Sequence, residues 1–449
     1  MKNKFSVLAI ALMGFIYGFY ILNNSLHKKP EKVIVWDVIS YYSYLPATFI
    51  EKDYKLQKWK NKEPWKSRYW PEYIPATENF VIKTSMGVAF MYYPFFQTAH
   101  LLSPLLGYEN DGFTAPYSTA LIISSILYAL MGMFFLRKVL LYSYNDIITS
   151  ITLLIIGLST NLFWYTTKEA PMSHSYSFAL FCIFIFLTDR WYQKPNYTRS
   201  VFLGLTLGLI ILIRPTNIII VLYFLLYGII KSKDFKNRFI TYLSNYKQII
   251  LISICILLVW IPQLLYWKSV TNQFFFYSYS DNESFFFANP KIINVLFGFR
   301  KGWLLYTPSM IFSLIGIFLL KNTKYFWAIL SFTLVNIYII SSWWCWWYGG
   351  GFGMRPFIES YALLAIPLAA YLNWIVAQKK VYKIMLIIAT SIIVAQSTFH
   401  IIQYHYKTIH YESMTRKAYF DSFWRINKSE NFETYLDYPN YSAAKQNKR

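Results

Sequence analysis

Acids are scarce in this sequence. Asp and Glu number 21 against 43 Lys and Arg, and charged residues make up only 14% of the chain. A soluble domain carries roughly a quarter, so an ordinary soluble fold is excluded. Cysteine is scarcer still. Cys182, Cys255 and Cys345 lie in or beside apolar segments, and none has the spacing of a metal site or a disulfide framework. The chain contains no P-loop, no dinucleotide-binding glycine motif and no H-E-x-x-H helix. A G-x-S-x-G elbow is missing as well. With short inner loops, these absences argue against a cytosolic ATP or nucleotide-sugar site. Internal repeats and low-complexity segments are absent too.

What the chain has instead is apolar and aromatic surface, 56% and 21% of its residues. Apolar segments recur at about 5–22, 116–136, 147–165, 173–188, 201–213, 216–230, 248–266, 303–320, 326–343, 359–377 and 384–400. Many approach the ~20 residues of a membrane-spanning helix. The first follows Lys2 and Lys4 and lacks a small-residue cleavage site, so it reads as a retained helix. The expected fold is therefore an all-α polytopic membrane protein of about eleven helices.

The net charge of +22 would suggest nucleic acid in a soluble protein. Here it is loop charge that sets topology, and no nucleic-acid partner is expected. Basic clusters at Arg137-Lys138, Arg190 to Arg199, Lys231 to Arg238, Lys321 to Lys324 and Lys379 to Lys383 belong inside by the positive-inside rule. That works only if the apolar stretch 84–106 lies along the interface rather than spanning. It also requires Arg214-Pro215-Thr216-Asn217 to be the tip of a hairpin of two short helices. Thirteen residues at ~1.5 Å each reach about 20 Å, short of a ~30 Å core, so this tip sits within the membrane. The external parts are then the large loop 24–115, the turn 166–172, the tip 214–217, the loop 267–302, the turn 344–358 and the tail 401–449.

Polar clusters gather on that external side. Asp37 is a single acid amid aromatics, and it opens a helix expected to end near Pro46. A lone carboxylate at the membrane boundary is costly unless solvated or functional. Glu169 and His174 flank the mouth of the next helix, where Ser173 and Glu169 would also serve as a cap and a dipole partner. Arg300 and Lys301 stand against the charge trend before Trp303, where they suit an anionic ligand such as a lipid phosphate. The stretch Trp343 to Glu359 carries clustered tryptophans, four glycines and Arg355. Its aromatic faces can stack on sugar rings, and Arg355 can bind carboxylate or phosphate.

Six segments together resemble the C-type superfamily of membrane glycosyltransferases. They are WDVISYYSYLPA from Trp36, KTSMGVAFMYYPFF from Lys83 and KEAPMSH from Lys168, then LIRPTN from Leu212, FRKGWLLYTP from Phe299 and WYGGGFGMRPFIE from Trp347. The branch resembled is that of protein O-mannosyltransferases and aminoarabinose transferases. The resemblance covers residues 1–400 as a glycosyltransferase domain, with 401–449 as an external tail. It implies transfer of a sugar from a polyprenyl-phosphate donor to an external glycan, lipid or protein acceptor, with inversion. Asp37 would be the general base and Glu169 the second acid, where the family more often has Asp. His174 would orient a substrate, and Arg300 and Lys301 would hold the phosphate. Arg214, Arg355, Tyr41 and Trp347 complete the candidate binding set. A divalent metal ion, held by Asp37 and Glu169, is left open, and no other cofactor is implied. The implied location is the inner (plasma) membrane with the site facing the periplasm, in surface-glycan or lipopolysaccharide synthesis.

Two other readings are open. An O-antigen ligase or polymerase would place its large loop late, whereas here it is early. A lipid-linked sugar flippase would show inverted repeats and several broken helices, and only 201–230 is broken.

Overall fold

The computed structural model describes residues 3–58, 63, 65–69, 71–231, 233–279 and 283–448. Asp281 and Asn282 of the loop 267–302 lie outside them. The protein is an all-α polytopic membrane protein. The principal helices, short ones aside, begin with α1 (Lys4–Asn23), α2 (Asp37–Tyr42) and α3 (Gly87–Leu102). Then come α4 (Ala115–Leu140), α5 (Asp146–Leu158), α6 (Ser173–Gln193), α7 (Tyr197–Ile213) and α8 (Val221–Leu226). They are followed by α9 (Lys233–Ser244), α10 (Tyr246–Thr271), α11 (Ile311–Leu319), α12 (Phe326–Ser342), α13 (Tyr361–Val376) and α14 (Lys380–His405). Helices α1, α4, α10 and α14 are each long and apolar enough to cross a membrane. Several shorter helices are apolar as well.

Each of the eleven apolar segments carries helix, with local differences that have physical causes. The segment 147–165 breaks at Ser159–Asn161, and a second helix runs Leu162–Thr167. The segment 303–320 is interrupted at Thr307-Pro308, where proline lacks the N–H that would continue the ladder. Pro46, by contrast, does not end its helix as the sequence suggested. A second short helix, Tyr44–Phe49, runs through it. Pro46 is the third residue of that helix, where no intrahelical N–H bond is required. The large loop also holds an antiparallel hairpin of Glu72–Ile74 with Asn79–Val81, which the sequence reading did not foresee.

The hairpin around Arg214 is traced by its neighbours on α6. Ser200, early in α7, accepts the indole N–H of Trp191 near the end of α6. Arg214 lies beside His174 at the start of α6. Phe224 then packs on Trp191 again. The chain has thus climbed along α6 and come back. Arg214 itself is extended, and a 3₁₀ turn, Pro215–Ile220, follows it.

Helix α3 starts at this same level. Ser85 bonds the Leu212 carbonyl, and a Cβ on Gly87 would fall within 2.7 Å of the Leu212 and Ile213 backbone. Only glycine allows that approach. Helix α3 is 16 residues long and contains Pro94, and its start packs beside the hairpin tip.

Candidate active site

Four chain regions, far apart in sequence, meet at the end of the bundle marked by Arg214. Asp37 comes from the start of α2, Tyr165 from the short helix Leu162–Thr167 and Glu169 from the turn after it. His174 comes from α6, Arg214 from the hairpin tip, and Arg355 and Glu359 from the glycine-rich turn before α13.

Asp37 and Arg355 form an ion pair, Nη2 to Oδ2, at 3.2 Å. The Asp37 side chain is 46% exposed and that of Arg355 17%. No described residue donates to the other carboxylate oxygen, Oδ1. Arg355 therefore fixes the carboxylate from below and leaves one oxygen open. The residue before it, Trp36, has φ +52° and is 84% exposed. That conformation costs ~1–3 kcal/mol for a residue with a Cβ. The strain sits directly beside the acid.

A second layer is buried beneath. His174 Nδ1 donates to Glu359 Oε1 at 3.1 Å. Arg214 Nη1 lies 3.7 Å from the same oxygen, and Arg214 Nη2 is 3.5 Å from His174 Nε2. His174 and Glu359 are essentially inaccessible, while Arg214 retains some exposure. Donation from Nδ1 leaves Nε2 as the lone-pair nitrogen, and that nitrogen faces the guanidinium. The ring of Tyr165 packs edge-on against His174 at 4.8 Å. Its hydroxyl accepts the N–H of Phe352 at 3.1 Å.

The glycine turn is shaped around these groups. Gly351 has φ +140°, and a Cβ there would stand 2.5 Å from the Tyr165 hydroxyl. Lys301 donates its ammonium to the Gly351 carbonyl. Lys301 is buried, and burial, reinforced by the nearby positive charge of Arg355, pulls its pKa down to about 7. For Arg355 burial works the other way from its neighbours. Asp37, with Tyr165 and Glu169 behind it, outweighs burial and holds the guanidinium more firmly protonated.

Glu169 accepts the indole N–H of Trp164 at 2.9 Å. Burial raises the Glu169 carboxyl above its usual range, with Trp164 and Arg355 opposing. The cap at the start of α6 is Met172 rather than Ser173, so Glu169 and Ser173 are not spent on capping.

Two sequence candidates stand apart from this cluster. Arg300 points the opposite way from Lys301 and binds the C-terminal tail. It donates to the carbonyls of Glu412 and Asp437 at 2.8 and 2.7 Å and to Asp437 Oδ2 at 2.7 Å. Trp347 is buried under the same tail, with its indole N–H 3.4 Å from the Tyr441 hydroxyl. Tyr41 is buried within the electrostatic reach of Arg214 and Arg355. Glu359 was missed as a site residue by the sequence reading. The signal was an acid at the membrane edge three residues past Pro356, but nothing in the spacing linked it to His174.

Asp37 and Glu169 do not fit a divalent cation. Each already accepts from a protein donor, and the ammonium and guanidinium groups around them oppose a second cation. Among the described residues no group of three or more His, Cys, Asp or Glu is placed to hold a metal. The site does offer spare donors. Arg355 Nε and, in the hairpin turn, Asn217 Nδ2 are buried without partners. Buried donors are normally satisfied, so these suit an anionic ligand.

Comparison with protein-family models and with curated proteins finds no match. Among solved structures, the chain is similar to the archaeal oligosaccharyltransferase AglB from Archaeoglobus fulgidus, in complex with an inhibitory peptide and a dolichol-phosphate. The TM-score is 0.48 with 11% identity, over 97% of this chain and 61% of that one. The apo oligosaccharyltransferase from the same organism gives 0.47 and 11%, over 97% and 60%. The chain thus spans about three-fifths of the length of those proteins.

Proposed function

We propose that this protein is a membrane glycosyltransferase that moves a sugar from a polyprenyl-phosphate donor to a hydroxyl acceptor at this site. The observation that carries the reading is a half-open carboxylate, Asp37, held on one oxygen by Arg355 above buried cationic groups. That arrangement provides a base and an anion site within one pocket. The open oxygen of Asp37 takes the proton of the acceptor hydroxyl. The acceptor oxygen bonds to the anomeric carbon from the face opposite the phosphate. The carbon–oxygen bond to the phosphate breaks, and polyprenyl phosphate leaves with the electron pair. Configuration at that carbon is inverted.

Charge grows on the leaving phosphate, so cations already in position stabilise the transition state most. Arg355, Lys301 and Arg214 are those cations. Glu359 and His174 keep Arg214 in one orientation. Glu169, held by the indole N–H of Trp164, orients a substrate hydroxyl. Arg300 and Trp347 serve through the tail, which covers the turn carrying Arg355. No step in this scheme passes through a metal ion.

The positive-inside charge pattern supports an inner-membrane protein with its site facing the periplasm, acting on a surface glycan, lipid or protein. The test is sugar transfer by purified protein from a polyprenyl-phosphate-linked sugar pool, comparing wild type with Asp37→Asn. Full transfer by a well-folded Asp37→Asn variant would overturn the assignment of the base.

A further inference from the structure

Helix α9 lies at the other end of the bundle, between α8 and α10. Its surroundings fix which way it faces. Arg238 stacks its guanidinium on the Tyr192 ring at 3.9 Å and donates to the Tyr227 carbonyl. The Tyr242 hydroxyl meets that of Tyr192 at 2.8 Å. Arg238 and Tyr242, four residues apart, therefore pin one edge of α9 to the bundle.

The face next to it is left uncovered. Phe235, Phe239 and Leu243 follow one another at four-residue steps, so they share one face. They are 55%, 64% and 58% exposed, and no residue of α9 is buried. Exposed Tyr246 and Ile250 extend the apolar surface into α10, the next membrane-crossing helix. Lys231, Lys233, Lys236 and Lys247 are all exposed around it. The one acid, Asp234, is turned back onto the backbone N–H groups of Ile230 and Lys231.

We propose that α9 is an interfacial helix that binds the anionic lipid headgroups of the leaflet opposite the site. Two facts choose lipid over other occupants. The exposed apolar residues run on from Leu243 through Tyr246 and Ile250 to Ile254 and Leu257 of α10, a helix long and apolar enough to cross a membrane. Lysines flank the strip, and such side chains reach outward to phosphate while their stems stay apolar. Each lysine near an anionic surface favours binding by about fivefold.

The test uses the full-length protein in nanodiscs of phosphatidylcholine, with and without phosphatidylglycerol. Spin labels are placed at Phe239→Cys, Leu243→Cys and, on the polar side, Asn237→Cys. The three native cysteines are buried. The labels at 239 and 243 should collide with oxygen in preference to a nickel chelate, and the label at 237 should do the reverse. Phosphatidylglycerol should deepen 239 and 243, and replacing Lys231, Lys233 and Lys236 with Gln should abolish that deepening. Equal nickel access at 237 and 239 would mean a solvated helix. Exclusion of both reagents at 239 and 243 would mean a protein partner. Depth that ignores phosphatidylglycerol would remove the anionic preference. Each of these results overturns the proposal.

Discussion

Two carboxylates at opposite ends of the bundle meet aromatic and basic side chains and come to different states. Asp189, near the end of α6, is fully buried. One of its oxygens accepts the Tyr223 hydroxyl at 3.2 Å, and the other the Tyr325 hydroxyl at 3.4 Å. Lys324 stands 3.7 Å away and supplies the countercharge. Nothing is left over, so this is a closed, structural knot. Asp37 at the other end is half open, has one free oxygen, and sits above an arginine with an unpartnered Nε. The same residue types build a clasp in one place and a half-open carboxylate in the other. Unspent hydrogen-bonding capacity separates them, rather than composition.

The strongest way to break this comparison is to remove each acid in turn. Asp37→Asn should lower sugar transfer by ~10²–10⁴-fold and leave thermal stability unchanged. Asp189→Ala should do the opposite. It orphans two buried hydroxyls, each costing ~1–3 kcal/mol, while transfer per folded molecule stays near wild type. If Asp189→Ala lost activity at full stability, the distinction between the closed clasp and the half-open acid would fail.

A smaller effect is expected at Glu359. Glu359→Gln keeps the shape but removes the charge that faces Arg214 at 3.7 Å and accepts from His174, a charge-assisted hydrogen bond of ~1.5–3 kcal/mol. Donor KM should rise with acceptor KM unchanged. A drop in kcat alone would place Glu359 in the chemistry instead.

Smaller again is a pH effect. Only the protonated Lys301 attracts phosphate, and its pKa is brought down to about 7. Raising the pH through that value removes the proton, so donor affinity should fall by about tenfold between about pH 6 and pH 8. Lys301→Met should flatten the profile, and a slope surviving in that variant would assign it to another group. The smallest change is expected for Arg300→Ala. Its partner Asp437 is largely exposed, so the loss is about 1 kcal/mol, seen as easier proteolysis of the tail with donor affinity intact.

Much of the candidate site was legible as a list of residues and little of it as an arrangement. Asp37, Glu169, His174, Arg214, Lys301 and Arg355 could be singled out because charge is rare in an apolar chain, and each rare charge at a membrane edge needs a reason. Glu359 escaped because its meaning lies in His174, 185 residues away. Arg300 and Lys301 were indistinguishable as neighbours, yet one grips the tail and the other the glycine turn.

By itself the sequence determined the helices, their approximate ends and the side on which rare charges collect. Those follow from local transfer free energy, summed over ~20 residues at a time. Only the tertiary structure decided which charges pair, as Asp37 with Arg355 across 318 residues, and which stay unsatisfied. An ion pair depends on a few ångströms between side chains, and helix packing sets that distance.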